Sequence, residues 1–536
     1  MTLALPVAIG LFATLIRVLA SADLTNDHFM HLAWAQQILF GELPGRDFVD
    51  PGMPLAYVLS AGVQWLHPGP VSEMYFSALM LGVAAGVTCV VVQKLTRSWL
   101  IGVGASLIEI AFQPRFYSYP KILVPAVTML LLMRYLDRRS TSRLVWLGAW
   151  TSAAILLRHD YAIYVCTGVA GALLVMHWRE WRTLLRAGST YAAAVTATLL
   201  PYLAYVQWSE GLVEHLRRGI EFGKADEHQR VFTLPGFTTL SGGWDRAHAV
   251  SFLFYAAHAL VIVIIALMIA NRRQPRERLA ATAGIVGMLA AYLAVILRYP
   301  VDQRLPDMAS VLALGGAAAA GALADVIRRT FRTRPWTSGT LAATALVVLV
   351  ASVSSVWILG QTAEMINKTG VSAGMRGLRE TFQQRRAADA VWPWAGAWPN
   401  DFPDAVLYLN DCTTRNDALL LTWRAPEYNF FARRKFAAGH AEFLAPRAFT
   451  SPADQAQMLA WLAPERVPVV LINQAEAEEF SRTYPAIQSW LDEHYAAAGH
   501  YTNYDDAEIV VAVRKDLRAS RTWGPDAWPC GFSSPG

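Results

Sequence analysis

The chain has 536 residues, of which 54% are hydrophobic and only 16% charged, with a mean hydropathy of +0.30. Soluble globular chains carry about 25% charged residues, so these figures exclude an ordinary soluble protein. Four cysteines without a C-x2-C pair exclude a disulfide-dense scaffold and a cysteine-based zinc site. The net charge of +5 is dispersed over short loops, which excludes a concentrated nucleic-acid-binding patch.

The apolar excess lies before about residue 360, in segments long enough to cross some 30 Å of hydrocarbon. Spans are expected at about eleven places: 3–20, 71–93, 99–114, 121–136, 144–157, 161–177, 187–206, 247–270, 279–297, 308–327 and 338–360. The first has no basic start of the signal-peptide kind and is followed by further spans, so it is expected to remain as a membrane helix. Basic residues gather in alternate loops: Lys94 and Arg97; Arg134, Arg138, Arg139 and Arg143; Arg179, Arg182 and Arg186; Arg272, Arg273, Arg276 and Arg278; Arg328, Arg329, Arg332 and Arg334. The positive-inside rule makes these loops and the N-terminus cytoplasmic. The loop at 21–70 and everything after 361 are then extracytoplasmic.

That first outer loop is the most punctuated stretch of the chain. Asp27 follows the first span, a short amphipathic helix comes next, and the run GELPGRDFVDPGMP holds Arg46, Asp47 and Asp50 among glycines and prolines. Leu55–Leu66 is too short to cross. The other outer loops keep few but specific charges: Arg115 and Lys121 in QPRFYSYPK, Arg158, His159 and Asp160 in LLRHDYAIY, and Arg298, Asp302, Arg304 and Asp307 in RYPVDQRLPD. Glu109 falls within a span, where an ionisable side chain marks a functional candidate. An interfacial helix is expected around Val213–Phe222.

After Gln361 the composition becomes that of a soluble domain. Strands are expected at 404–411, 418–423, 467–473 and 507–514, with helices at 373–388, 452–463 and 484–495. The last stretch, WGPDAWPCGFSSPG, is expected to be irregular. The fold class is therefore an α-helical polytopic membrane protein, residues 1–360, carrying an extracytoplasmic α/β domain, residues 361–536. Cys89 and Cys166 fall in spans, whereas Cys412 and Cys530 lie in the outer domain, where an oxidising compartment would let them pair.

A carboxylate and several arginines on one membrane face suit the transfer of a sugar from a lipid phosphate. That reaction needs a base for the acceptor proton and cations for the departing phosphate. Asp27 is the candidate base. Arg46, Arg158, Arg298 and Arg304 are candidate phosphate ligands, because guanidinium matches phosphate bidentately. His28, Asp47 and Asp50 are candidates to orient the sugar or acceptor, and Asp160 and Asp307 complete the candidate binding set. Competing structural roles exist for several of them. Asp47 and Asp50 suit turn formation equally, Arg158 and Asp160 suit a mutual ion pair, and Arg115 and Lys121 suit snorkelling to lipid head groups. No zinc-protease, serine-hydrolase or P-loop spacing occurs.

In layout and in these motifs the chain resembles the polytopic GT-C glycosyltransferases that use polyprenyl-phosphate-linked sugars, such as the protein O-mannosyltransferases and the lipid A aminoarabinose transferases. The resemblance rests on Asp27 in TNDHFMHLAWAQQILFGELP, on GRDFVDPGMPLAY, and on LLRHDYAIYV, QRLPDMASVL and APEYNFFARRKF. It departs from the family pattern in three places. Asp27-His28 stands where an Asp-Glu pair is usual, Gly52-Met53 where lipid A transferases carry a Lys before the Pro-Leu step, and QPRFYSYPK has no second acidic residue. The resemblance implies an inverting transferase of the bacterial inner membrane, with Asp27 as base, a polyprenyl-phosphate sugar as donor and a lipid, glycan or protein as acceptor. It implies no firm cofactor and leaves a divalent cation open. The rival expectation, a transporter or flippase of lipid-linked sugars, calls for midplane charges and repeated broken helices. Here the charges sit near span ends and no repeat occurs.

Overall fold

Inside hydrocarbon every backbone N–H and C=O must find a partner in a helix or a closed barrel, and continuous apolar runs of this length suit helices. In the computed structural model the chain is described apart from residues 1–2, 21–25, 229–233, 235, 237–245, 297–303, 332–336, 338–340, 342–359, 391–401, 445–446, 504 and 534–536. Helices cover Ala4–Ala20 (α1), Asn26–Leu39 (α2), Pro54–Leu66 (α3), Pro70–Thr96 (α4), Trp99–Ala111 (α5), Tyr119–Asp137 (α6), Thr141–Leu157 (α7), Tyr161–Met176 (α8), Trp181–Ser209 (α9), Leu212–His228 (α10), Arg246–Ala270 (α11), Arg276–Ile296 (α12) and Ala309–Phe331 (α13). Ten of the expected spans fall on these helices, and the eleventh, 338–360, lies outside the described residues apart from Leu341 and Gly360. Among the described residues five helical stretches are both long and apolar enough to cross a bilayer, within Pro70–Thr96, Phe116–Asp137, Ala247–Ala270, Arg276–Ala294 and Pro306–Thr330. The chain is a multi-pass α-helical membrane protein with a C-terminal α/β region.

The chain forms two compact units. The first comprises Met1–Ala22, Met74–Pro201 and Val231–Gln383; the second comprises Asp23–Glu73, Tyr202–Arg230 and Gln384–Gly536. In the first, small residues let helices approach closely, the usual packing device where lipid supplies no hydrophobic drive. A Cβ at Gly287 on α12 would stand 2.7 Å from the Thr167 carbonyl oxygen on α8, and Tyr164 stacks on Tyr292 across the same pair at 3.9 Å. Glu109 on α5 is buried and accepts a hydrogen bond from the Thr88 hydroxyl on α4 at 2.8 Å.

The second unit is built on a five-stranded sheet of Ala418–Leu421 (β1), Lys435–Phe436 (β2), Val469–Asn473 (β3), Tyr495–Thr502 (β4) and Glu508–Arg514 (β5), in the order β2-β1-β3-β5-β4. β2, β1 and β3 run parallel, and β5 pairs antiparallel with both β3 and β4. Helices Phe402–Cys412, Pro426–Ala432, Pro452–Leu462 and Pro485–His494 pack against it. The expected strand at 404–411 is a helix. Ala405, Val406, Tyr408, Leu409 and Cys412 are buried while Leu407 is 46% exposed, a spacing of three and four that only a helix satisfies. The expected irregular tail is instead a hairpin of Arg518–Trp523 (β6) and Trp528–Ser533 (β7), in which Trp523 and Trp528 face each other as a cross-strand pair. Cys412 and Cys530 form a disulfide between that helix and β7.

α2 folds onto this sheet's helices. Phe29 on α2 lies 5.0 Å from Phe431 and 6.0 Å from Phe430, ring centre to ring centre, and Leu32 is fully buried in the same core. Gln36 donates to the Asn429 carbonyl at 3.1 Å, and the Phe436 amide donates to the Gln37 side chain at 3.2 Å. α2 is therefore anchored by apolar burial and by buried hydrogen bonds with residues almost four hundred positions later.

Candidate functional site

Two groups of charged side chains stand out, one in each unit. In the second unit, Asp27 occupies the first turn of α2 and pairs with Arg424, which follows β1. Arg424 Nε also lies 3.0 Å from Glu442 Oε2. The Asp27 and Arg424 side chains are each 30% exposed and Glu442 only 9%, so Glu442 fixes Arg424 from the interior while Asp27 keeps a face open to solvent. His28, one position on, is buried; burial first, then the neighbouring His31, push its pKa down to about 3 against the pull of Asp27, so it is neutral.

The turn-rich stretch spends its carboxylates on itself. Asp47 accepts from the Leu43 amide at 2.8 Å and pairs with Arg46 through Nε at 2.8 and 2.9 Å. Asp50 is buried and accepts from the amides of Gly52 at 2.7 Å and Met53 at 3.0 Å, the Asx arrangement that opens α3. Its second oxygen accepts from the Tyr202 hydroxyl at 3.2 Å. His215 stands 3.5 Å from that hydroxyl and 2.7 Å from Glu210. Burial lowers the His215 pKa, but the Glu210 hydrogen bond and the charge of Asp50 outweigh it, and the net direction is upward. Arg46 also borders a polar cavity of about 610 Å³, with Glu210, Glu214, Arg217, Asp454 and the Trp461 indole around it. Arg217 ties its walls together, reaching Glu214 at 2.5 Å, Glu221 at 2.6 Å and Asp454 at 3.2 Å.

In the first unit, a cationic cluster gathers at the N-terminal end of α6, the C-terminal end of α7 and the start of α13. Asp307, 6% exposed, pairs with Lys121 and has Arg304 at 3.6 Å and Arg115 at 3.8 Å. Arg158 is close enough to act on the charges of both Lys121 and Asp307, and its Nε lies 3.0 Å from Asp160. Tyr164 donates to Asp160 at 3.3 Å. Among the described residues, four cations against two carboxylates leave a surplus of two positive charges, the complement of a phosphate monoester dianion. The Arg115 and Arg158 side chains are each about one-third exposed.

Of the residues expected from sequence, Arg158, Asp160, Arg304 and Asp307 come together in this cluster. Asp27 and His28 share α2, Arg46 and Asp47 pair with each other, and Arg298 lies outside the described residues. Sequence reasoning missed Arg424 and Glu442 altogether, since nothing in their spacing links them to Asp27. It gave Arg115 and Lys121 equally to lipid snorkelling, although both sit in the same outer-loop set as Arg158 and Arg304. Among the described residues no group of three His, Cys, Asp or Glu side chains gathers to hold a metal ion.

No family model matches the chain, and no curated protein matches it by sequence. Solved structures similar to it include ArnT from Cupriavidus metallidurans bound to undecaprenyl phosphate, 13% identical at a TM-score of 0.47, covering 95% of this chain and 97% of that one. The same protein in its apo state is 14% identical at 0.45 with the same coverage. The Archaeoglobus fulgidus oligosaccharyltransferase in complex with zinc and sulfate is 12% identical at 0.49, covering 100% of this chain and 73% of that one. At TM-scores below 0.5 none of these likenesses bears on what the chain does.

Proposed function

We propose that this chain is a membrane glycosyltransferase of the GT-C type that moves a sugar from a polyprenyl phosphate to an acceptor at the outer face of a bacterial cytoplasmic membrane. The observation that carries it is the cluster of Arg115, Lys121, Arg158 and Arg304 at the ends of membrane-length helices, with two positive charges beyond what Asp160 and Asp307 neutralise. The donor's phosphate is a phosphodiester monoanion delivered at that depth, and it becomes a monoester dianion as the sugar–oxygen bond breaks and the electron pair stays on its oxygen. Basic loops alternating with this side support a cytoplasmic N-terminus and an extracytoplasmic second unit.

Asp27 takes the proton from the acceptor hydroxyl or amine. The acceptor's freed electron pair forms the new bond at the anomeric carbon from the side opposite the phosphate, the carbon–oxygen bond to phosphate breaks, and polyprenyl phosphate departs with the electron pair. Inversion follows from that in-line geometry. Arg424, held by Glu442, orients the Asp27 carboxylate. The polar cavity beside Arg46 and Trp461 offers hydroxyl partners and an aromatic face for a sugar or acceptor.

The test uses membranes containing the chain and a radiolabelled polyprenyl-phosphate sugar. Label leaves the lipid with the native chain, falls at least 100-fold in rate with Asp27→Asn, and falls similarly with Arg158→Gln. Full transfer by Asp27→Asn removes the assigned base. Label that remains lipid-bound yet crosses the bilayer replaces transfer with transport.

A further inference from the structure

The opposite end of the first unit holds a recess that transfer does not use. It encloses about 570 Å³ among the last turns of α4, α6 and α13 and the turn between α11 and α12. α6 reaches from Lys121 to Asp137 on the recess wall, about 24 Å at 1.5 Å per residue, so the recess is separate from the cluster around Asp307.

Among the described residues, six Lys and Arg side chains border it against three carboxylates, a surplus of three positive charges. Some of this charge is spent within the fold. Lys94 pairs with Asp137 at 2.7 Å, and Asp325 takes Arg278 at 2.5 Å and Arg328 at 3.0 Å. Arg97 and Arg273 are exposed and, among the described residues, have no ion pair. Between the cations lie apolar side chains, Leu95, Met133, Leu136 and Ala281. A free phosphate would need the cations alone. The alternation of guanidinium groups with apolar surface, at the ends of helices that cross a bilayer, fits a phosphodiester with its glycerol and first methylenes attached.

We propose that this recess binds the headgroup of an anionic phospholipid from the leaflet at that end of the bundle, with Arg97 and Arg273 as its principal phosphate ligands. The site is independent of the transfer chemistry, and its failure would leave that chemistry untouched.

The test is lipid retention by the purified full chain in neutral detergent, read by native mass spectrometry with phosphatidylglycerol or phosphatidylcholine added. Each cation near a lipid phosphate contributes enough that losing two weakens binding roughly 30-fold. Phosphatidylglycerol is expected to stay bound to the native chain, and phosphatidylcholine to be lost. Arg97→Gln/Arg273→Gln is expected to lose phosphatidylglycerol by that factor, while Arg97→Lys/Arg273→Lys retains most of it. Arg179→Gln/Arg186→Gln, which removes two exposed arginines, one in the turn after α8 and one on α9, serves as the control and binds as the native chain does. Equal retention by the double Gln variant, or equal retention of both lipids, overturns the proposal. So does displacement of the lipid by excess inorganic phosphate, which would make the recess a free-phosphate site.

Discussion

Removing the Cys412–Cys530 bond should lower the unfolding temperature of the second unit by an amount that can be worked out. The two residues are 118 apart in sequence. Opening a loop of that length returns about 16 cal/mol/K of chain entropy to the unfolded state, or about 4.9 kcal/mol at 25 °C. For a unit of this size each kcal/mol moves the midpoint by about 2–4 °C, so a loss of roughly 10–20 °C is expected. Cys412→Ala/Cys530→Ala is the suitable variant, because both sulfurs are buried and Ser would leave hydroxyls there. The assay is the tryptophan fluorescence melt of the full chain in detergent, with Trp523 and Trp528 reporting from the same hairpin as Cys530. Reductant added to the native chain should reproduce the shift. Alkylation of the chain unfolded without reductant should label two cysteines, Cys89 and Cys166. A shift under about 2 °C, or labelling of all four cysteines, would refute the reasoning.

Gly287→Ala should part α8 from α12, since the new methyl would meet the Thr167 carbonyl oxygen at 2.7 Å and the Gly168 Cα at 3.1 Å. A cost of about 1–3 kcal/mol is expected, whereas Gly104→Ala, with nothing within 4 Å, should cost nothing measurable in the same detergent melt. The Glu210–His215 pair should make stability pH-dependent. Because the folded pKa of His215 is raised, its contribution is complete below about 6.5, the unfolded value, and fades as pH climbs through the folded one. The difference in Tm between the native chain and His215→Gln should therefore be larger at pH 5.5 than at pH 8.5, and a difference that grows with pH would contradict the pair.

How much of this was readable in the sequence depends on how local each cause is. Membrane helices were legible because hydrocarbon admits one backbone solution and the composition declares it. β1, β3 and β5 were legible as short apolar runs. Residues 404–411 were not, because Val406, Tyr408 and Leu409 suit a strand by propensity, and only the burial of positions three and four apart settles the period. The hairpin at the end was hidden by its Gly and Pro, which read as punctuation although Trp523 and Trp528 pair across the turn. The choice between turn former and ligand at Asp47 and Asp50 stood open in the sequence; the hydrogen bonds that occupy them come chiefly from amides within four residues. Arg424 could not be foreseen. It meets Asp27 across 397 positions, and no spacing rule reaches that far.

The docking of α2 onto the helices beside β1 and β2 also sets an order of assembly. Residues 26–39 leave the ribosome long before Asn429 and Phe436, their buried partners, and closing so long a loop is entropically slow. The segment bearing Asp27 must wait, unsheltered, until the sheet residues have also been made. Any truncation of the C-terminal region would thus deprive the chain's beginning of its scaffold. A stop codon near residue 400 should abolish order around Asp27 as surely as a mutation within α2.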